Sequence, residues 1–229
     1  EKAIYTMQEE GVDLIELGVP FSDPAADGPV IQRADERALA QGVDIFKVFE
    51  LVRKIRNNVE VPMVFLLYYN VMVQYGIEKF FKCCQETGVD GLIIPDLPYE
   101  ESDEIKEYTE KYGVYQISLV SPTSKDRIKN IAKDAKGFLY CISSLGVTGE
   151  KSSFVTNFDE FVGTIKKYTD VPACVGFGVS NGEQVKELTK YFDGAIVGSA
   201  IVKSIATGES VEERINNLRA KIKDLKSGL

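Results

Sequence analysis

Carboxylates suited to proton transfer cluster in one stretch of this sequence, VDLIELGVPFSDPAADGP at 12–29. Glu16 stands in an apolar run whose alternation predicts a strand, so burial is expected to raise its pKa toward the range useful to a general acid or base. Asp23 and Asp27 follow on a loop that glycine and proline hold rigid. The chain contains no histidine, so proton transfer near neutral pH falls to carboxylates, Tyr, Cys or Lys.

Each of these carboxylates also has a purely structural interpretation. Asp23 precedes Pro24 and Asp27 precedes Gly28, and an aspartate in such a turn commonly accepts hydrogen bonds from backbone N–H groups. For Glu16 the structural alternative is an ion pair, because a buried carboxylate is seldom left unpaired. The residues alone leave both interpretations open.

Two glycine turns near the C-terminus suggest a phosphate site. A predicted strand at 173–177 turns through Gly178 and Ser180, and another at 194–197 turns through Gly198 and Ser199, each before a predicted helix. Free backbone N–H groups at a helix start bind phosphate, commonly after strands seven and eight of βα barrels. The alternative is that both glycines only permit tight turns.

Seven apolar runs alternate with amphipathic helices and must position these groups. The predicted strands are 12–17, 61–67, 91–95, 115–120, 138–142, 173–177 and 194–197. This order predicts an α/β protein with a parallel sheet, a (β/α)8 TIM barrel that lacks its first strand. We therefore expect one domain over 1–229, incomplete at its N-terminus. The small polar residues of 143–153 are a candidate lid.

Composition excludes several classes of function. A net charge of −8 and a pI near 4.8 argue against a nucleic-acid surface. The cysteines lack metal-ligand spacing and are expected to be reduced core residues, which predicts a cytoplasmic protein. No apolar run is long enough to predict a membrane span.

Four motifs together closely resemble the tryptophan synthase alpha chain family: ELGVPFSDPAADGP at 16–29, LGVTG at 145–149, GFGVS at 176–180 and GSAIV at 198–202. The resemblance implies a lyase of L-tryptophan biosynthesis that cleaves indole-3-glycerol phosphate to indole and glyceraldehyde 3-phosphate. It also implies an alpha2beta2 complex with a beta chain that receives the indole. Pyridoxal phosphate is expected in that partner, with no cofactor or metal in this chain.

The resemblance assigns roles residue by residue. Glu16 and Asp27 match the catalytic carboxylates, and Tyr140 matches a tyrosine near the site. The matched substrate and phosphate residues are Tyr68, Thr148, Gly149, Phe177, Gly178, Gly198 and Ser199. Asp23 and Pro24 lie where the family's loop meets the beta chain. Ser144 departs from the pattern, since some members carry an arginine there.

Two other functions fit the same residues. One is a phosphate-binding barrel isomerase or epimerase, which a pocket too short for an indole ring beside Glu16 would favour. The other is a non-catalytic subunit that activates a partner, which would bind a beta chain tightly without turnover.

Overall fold

Parallel strands alternate with helices throughout the computed structural model, which describes residues 1–124, 126–142, 158–176 and 178–229. The strands are β1 Ile15–Gly18, β2 Met63–Leu66, β3 Gly91–Ile93, β4 Tyr115–Gln116, β5 Ser118–Val120, β6 Leu139–Ile142, β7 Ala173–Gly176 and β8 Gly194–Ala195. The helices are α1 Lys2–Glu9, α2 Pro29–Ala40, α3 Ile45–Ile55, α4 Tyr69–Tyr75, α5 Ile77–Thr87, α6 Asp103–Tyr112, α7 Ile128–Asp134, α8 Phe158–Lys166, α9 Gly182–Leu188, α10 Ser199–Ala206 and α11 Val211–Lys226.

The described strands form two four-stranded parallel sheets, one in each of two compact units. Unit 1 comprises Glu1–Gln116 and Val202–Ile222, and its sheet has the order β1-β2-β3-β4. Unit 2 comprises Ile117–Ile201 and Lys223–Leu229, and its sheet has the order β5-β6-β7-β8. Parallel neighbours joined through helices are the βαβ arrangement that the sequence predicts.

The single strand predicted at 115–120 consists of two short strands in the structure. Tyr115 pairs with Gly91 of β3, whereas Ser118 pairs with Leu139 of β6, and Ile117 separates the two pairings. Apolar and polar residues alternate from Tyr115 to Leu119, across Ile117, so the sequence does not indicate the break. That a further strand precedes Glu1 remains a prediction.

The two faces of β2 determine which way Glu16 points. Phe65 is fully buried, and its ring lies 5.4 Å from that of Phe49 in α3, so this face of the sheet packs against the helices. Val64 faces the opposite side, because successive side chains of a strand alternate. Glu16 is the register partner of Val64. Its side chain therefore projects from the face turned away from α3.

An aspartate fixes the start of one strand in each unit. In unit 1, Asp90 accepts hydrogen bonds from the Met63 N–H at 2.7 Å and from Arg56 at 3.0 Å. In unit 2, Asp193 accepts hydrogen bonds from the Ala173 N–H at 2.7 Å and from Lys166 at 2.5 Å. Each carboxylate holds the first residue of a neighbouring strand and so fixes the register there.

We expect Asp193→Ala to lower the free energy of unfolding by about 1 kcal/mol at pH 7, because a charged acceptor is lost at a partly exposed position. Burial opposes ionisation of Asp193, but the hydrogen bonds from Lys166 and the Ala173 N–H outweigh it and lower the pKa. Its stabilising contribution is therefore complete above the ordinary carboxylate pKa, and it disappears as the pH falls through the lowered value.

Urea unfolding followed by far-UV circular dichroism measures this effect, since the chain has no tryptophan. The difference between wild type and variant should shrink below about pH 4. Asp170→Ala, at an exposed position nearby, serves as the control and should have little effect. A difference that grows in acid would contradict the interpretation.

Candidate active site

Glu16 is the second residue of β1, and it is half-buried with a strongly shifted pKa. Desolvation, and secondarily the charge of Asp27, raise its pKa to about 7. No described residue donates a hydrogen bond or forms an ion pair with the Glu16 carboxylate. An ion pair within the described residues therefore does not account for Glu16, and both protonation states are populated near neutral pH.

Asp27 is held by Tyr68, which lies between β2 and α4 at the N-cap position of that helix. The Tyr68 hydroxyl donates a hydrogen bond to Asp27 Oδ2 at 2.8 Å and accepts one from the Ala26 N–H at 2.9 Å. Burial raises the pKa of Asp27, and the hydrogen bond from Tyr68 works in the opposite direction. The Tyr68 ring stacks on Phe21 at 5.1 Å between ring centroids. Tyr68 therefore fixes both the carboxylate and the loop that carries it.

Asp35 is a third carboxylate near this site that the sequence interpretation missed. It lies on α2, and burial together with the charge of Asp27 raises its pKa to about 6. Ile31, Asp35 and Ala38 are all half-buried and follow helical spacing, so they share the inward face of α2. An acidic residue among apolar residues on that face was the available signal.

The loop after β1 borders an open cavity of about 320 Å³, and Asp23 and Pro24 are part of its lining. The other lining residues are Phe21, Ser22, Ala25, Gln32 and Glu36. Asp23 is exposed and accepts a hydrogen bond from Ser22 at 2.5 Å. The predicted role of Asp23 and Pro24 at a partner interface therefore falls on accessible residues, and it remains a prediction.

In unit 2, Tyr140 of β6 lies directly over Gly176 of β7. A Cβ added to Gly176 would come within 2.5 Å of the Tyr140 hydroxyl and ring. Glycine is thus required for the Tyr140 ring to occupy this position.

The two glycine turns follow adjacent strands, since β7 and β8 pair in parallel through Cys174 and Gly194. Gly198 directly precedes α10, as the sequence predicts. Gly178 has a φ of +81°, which favours glycine, but α9 begins four residues later at Gly182, where Asn181 caps the Gln184 N–H. An added Cβ at Gly178 or Gly198 would meet nothing within 4 Å among the described atoms.

The candidate lid at 143–153, which includes Ser144, Thr148 and Gly149, lies outside the described residues, and so does Phe177. Among the residues that are described, no group of three or more His, Cys, Asp or Glu side chains is arranged to hold a metal ion. A search of the same residues finds no helix that is both long and apolar enough to span a membrane.

Comparisons with known proteins agree along the whole chain. The family model described as "Tryptophan synthase alpha chain" matches residues 1–229. The tryptophan synthase alpha chain of Thermoanaerobacter sp. (strain X514) is 47% identical over 226 residues, which cover 99% of this chain and 86% of that protein. That of Geobacillus thermodenitrificans is 49% identical over 216 residues, covering 94% and 80%.

Solved structures give the same result. A protein from Aquifex aeolicus VF5 matches with a TM-score of 0.88 and 39% identity, over 100% of this chain and 86% of that one. Tryptophan synthase from M. tuberculosis matches with a TM-score of 0.85 and 33% identity, over 99% and 84%.

These matches confirm the predicted fold class, and the chain is an enzyme of the (β/α)8 barrel class. It belongs to the tryptophan synthase alpha chain family. The assignment confirms the predicted alpha reaction of tryptophan synthesis, the cleavage of indole-3-glycerol phosphate, and the beta chain as its partner. It gives no support to the isomerase or the non-catalytic subunit.

We expect the pKa of Glu16 to fall in Asp27→Asn, because the variant removes a negative charge that raises it. Carboxyl NMR titration should give about 7 for Glu16 in the wild type. Asp35→Asn is the matched control and should leave Glu16 nearly unchanged, since Asp35 is not among the causes of its shift. A Glu16 pKa that is the same in wild type and Asp27→Asn would exclude the coupling.

We expect Gly176→Ala to destabilise unit 2 by about 1–3 kcal/mol, the usual cost of overpacking, because the new methyl group meets Tyr140. In a Tyr140→Ala background the same substitution should cost little. Gly163→Ala, in α8 with open space around it, is the control and should be neutral or stabilising. Equal costs of Gly176→Ala in both backgrounds, measured by urea unfolding, would refute the steric interpretation.

Proposed function

We propose that Glu16 is the general acid and base of the cleavage reaction and that Asp27 is the second catalytic carboxylate. The observation that carries the proposal is the placement of Glu16 in β1 without a described hydrogen-bond partner for its carboxylate, where burial raises its pKa to about 7. Glu16 adds a proton to the indole ring carbon that bears the glycerol chain. It then removes the proton of the adjacent glycerol hydroxyl as the carbon–carbon bond breaks. The bond's electron pair returns to the ring, and the hydroxyl carbon becomes the aldehyde.

Asp27 acts on the charge that this step creates. Protonation of the ring carbon leaves positive charge on the indole nitrogen, and an ionised carboxylate facing the N–H stabilises it. The hydrogen bond from Tyr68 favours the ionised form against the effect of burial. Two carboxylates thus take different roles: Glu16 exchanges protons and Asp27 stays charged.

The phosphate of the substrate is bound by the glycine turns of unit 2. Support comes from the adjacent ends of β7 and β8 and from Gly198 directly before α10. In addition, no described atom lies within 4 Å of a Cβ added to Gly178 or Gly198. Phe177, Gly178, Gly198 and Ser199 contribute mainly through backbone N–H groups. The resemblance also assigns substrate-binding roles to Tyr68, Tyr140, Thr148 and Gly149.

The indole product passes to the beta chain, which we propose to contact the loop at Asp23 and Pro24. Pyridoxal phosphate belongs to that partner, and the acid–base chemistry of this chain needs no cofactor of its own. We expect the complex in the cytoplasm, and the state of the cysteines supports that location. Cys83, Cys84, Cys141 and Cys174 are free thiols, of which the first three are buried.

Glu16→Gln tests the proposal in the full-length chain assembled with its beta chain. We expect the rate of indole release from indole-3-glycerol phosphate to fall by at least about 10²-fold, because the amide can neither donate to carbon nor accept the hydroxyl proton. Glu50→Gln, on the exposed side of α3, is the matched control and should keep the wild-type rate. A folded Glu16→Gln variant with wild-type turnover would remove Glu16 from the mechanism.

A further inference from the structure

Asp96 makes a contact that the catalytic roles above do not use. It lies three residues after β3, and both of its carboxylate oxygens accept the backbone N–H of Tyr69, at 2.9 and 3.1 Å. The side chain is otherwise exposed. Through these two contacts Asp96 acts as a helix cap from outside the helix, in the segment that follows β3.

The contact falls at the first residue of α4. Tyr68 occupies the N-cap position with an extended backbone, and its side chain makes no capping hydrogen bond. Ser, Thr, Asp or Asn usually fills this position and satisfies the first N–H groups of the helix. Here Asp96 does so from outside, and it thereby fixes the backbone at the junction between Tyr68 and Tyr69.

The side chain of Tyr68 extends from that junction to the catalytic loop. Its hydroxyl bonds to both Asp27 and the Ala26 N–H, and its ring packs on Phe21. Burial first, then the hydrogen bond to Asp27, and to a smaller extent the charges of Asp27 and Asp96, raise the pKa of Tyr68. A continuous path of short contacts therefore joins Asp96 to Asp27.

We propose that Asp96 is a positioning residue for Asp27, acting through the N-terminus of α4 and the hydroxyl of Tyr68. The proposal rests on the proposed role of Asp27 in the cleavage reaction. Asp96 itself contacts neither the substrate nor the reacting atoms. Its effect is to place the Tyr68 hydroxyl where its hydrogen bond opposes protonation of Asp27 and directs that carboxylate at the indole nitrogen.

A double-mutant cycle in the alpha–beta complex tests this path. Asp96→Ala should lower kcat for indole release by about fivefold, in keeping with loss of a helix cap. Tyr68→Phe removes the hydroxyl and should lower kcat by at least as much. In the Tyr68→Phe background, Asp96→Ala should have no further effect on kcat, because the path is already broken.

The pH profile supplies a readout that loss of stability alone would not change. Without the hydrogen bond from Tyr68, the pKa of Asp27 rises, so the acidic limb of kcat should shift to higher pH in both Asp96→Ala and Tyr68→Phe. Asp96→Asn keeps an oxygen that can accept the hydrogen bond from the Tyr69 N–H. Its kcat should stay within about threefold of wild type, and its acidic limb should not shift.

Asp90→Ala is the matched control, since Asp90 also accepts a backbone N–H at a strand end but touches neither α4 nor Tyr68. It should lower stability without shifting the pH profile, and its effect should be the same in the Tyr68→Phe background.

Three results would overturn the proposal: multiplicative losses for Asp96→Ala and Tyr68→Phe, an unshifted acidic limb in Asp96→Ala, or an Asp96→Asn variant as impaired as Asp96→Ala. If Asp96→Ala does not fold, Asp96→Asn decides alone, and a loss of kcat greater than about threefold in that variant refutes the path. NMR titration of Asp27 separates this result from failure of the catalytic assignment. The pKa of Asp27 should rise in Asp96→Ala even if Asp27 has no catalytic role.

Discussion

The removal of Glu16 from water, together with the charge of the neighbouring Asp27, governs the acid–base chemistry that we propose for this protein. Glu16 and Asp27 lie close enough for the charge of one to raise the pKa of the other, in surroundings that already disfavour ionisation. Such a pair persists because the fold around it forces the approach. Glu16 pairs in register with Val64, so its side chain projects from the face of the sheet opposite to Phe65. Asp27 is held by the hydrogen bond from the Tyr68 hydroxyl. The strands and the loop of unit 1 thus hold the two carboxylates in place, and the raised pKa of Glu16 is the consequence.

Hydrogen bonding separates the roles of the two groups. Glu16 has no described donor to stabilise its charge, so it titrates near neutrality, whereas Asp27 receives the Tyr68 hydroxyl. One carboxyl group is thereby left free to exchange a proton, and the other is biased toward the charged form. Asp90 and Asp193 also accept hydrogen bonds, in their case from backbone N–H groups at the first residues of β2 and β7. These two aspartates fix strand register.

Much of the fold and part of the site could be predicted from sequence, because the signals were local. The alternation of apolar residues located the strands, and an acid in an apolar run marked Glu16. The break at Ile117 could not be predicted, since it depends on which strands pair on either side. Helix α4 was also missed, because the sequence after β2 reads as polar residues ending a strand, and its cap comes from Asp96, 27 residues further along the chain. Tyr68 was assigned to the pocket by resemblance, but its bond to Asp27 is a tertiary contact with no signature in sequence spacing.

The most direct test of the central claim is a crystal structure of the full-length chain in complex with its beta chain and a non-cleavable analogue of indole-3-glycerol phosphate. The account predicts that the Glu16 carboxyl group lies within hydrogen-bonding distance of the glycerol hydroxyl beside the indole ring, and that Asp27 faces the indole N–H. A structure in which Glu16 packs against the surrounding helices, or in which the indole nitrogen faces a group other than Asp27, would contradict it.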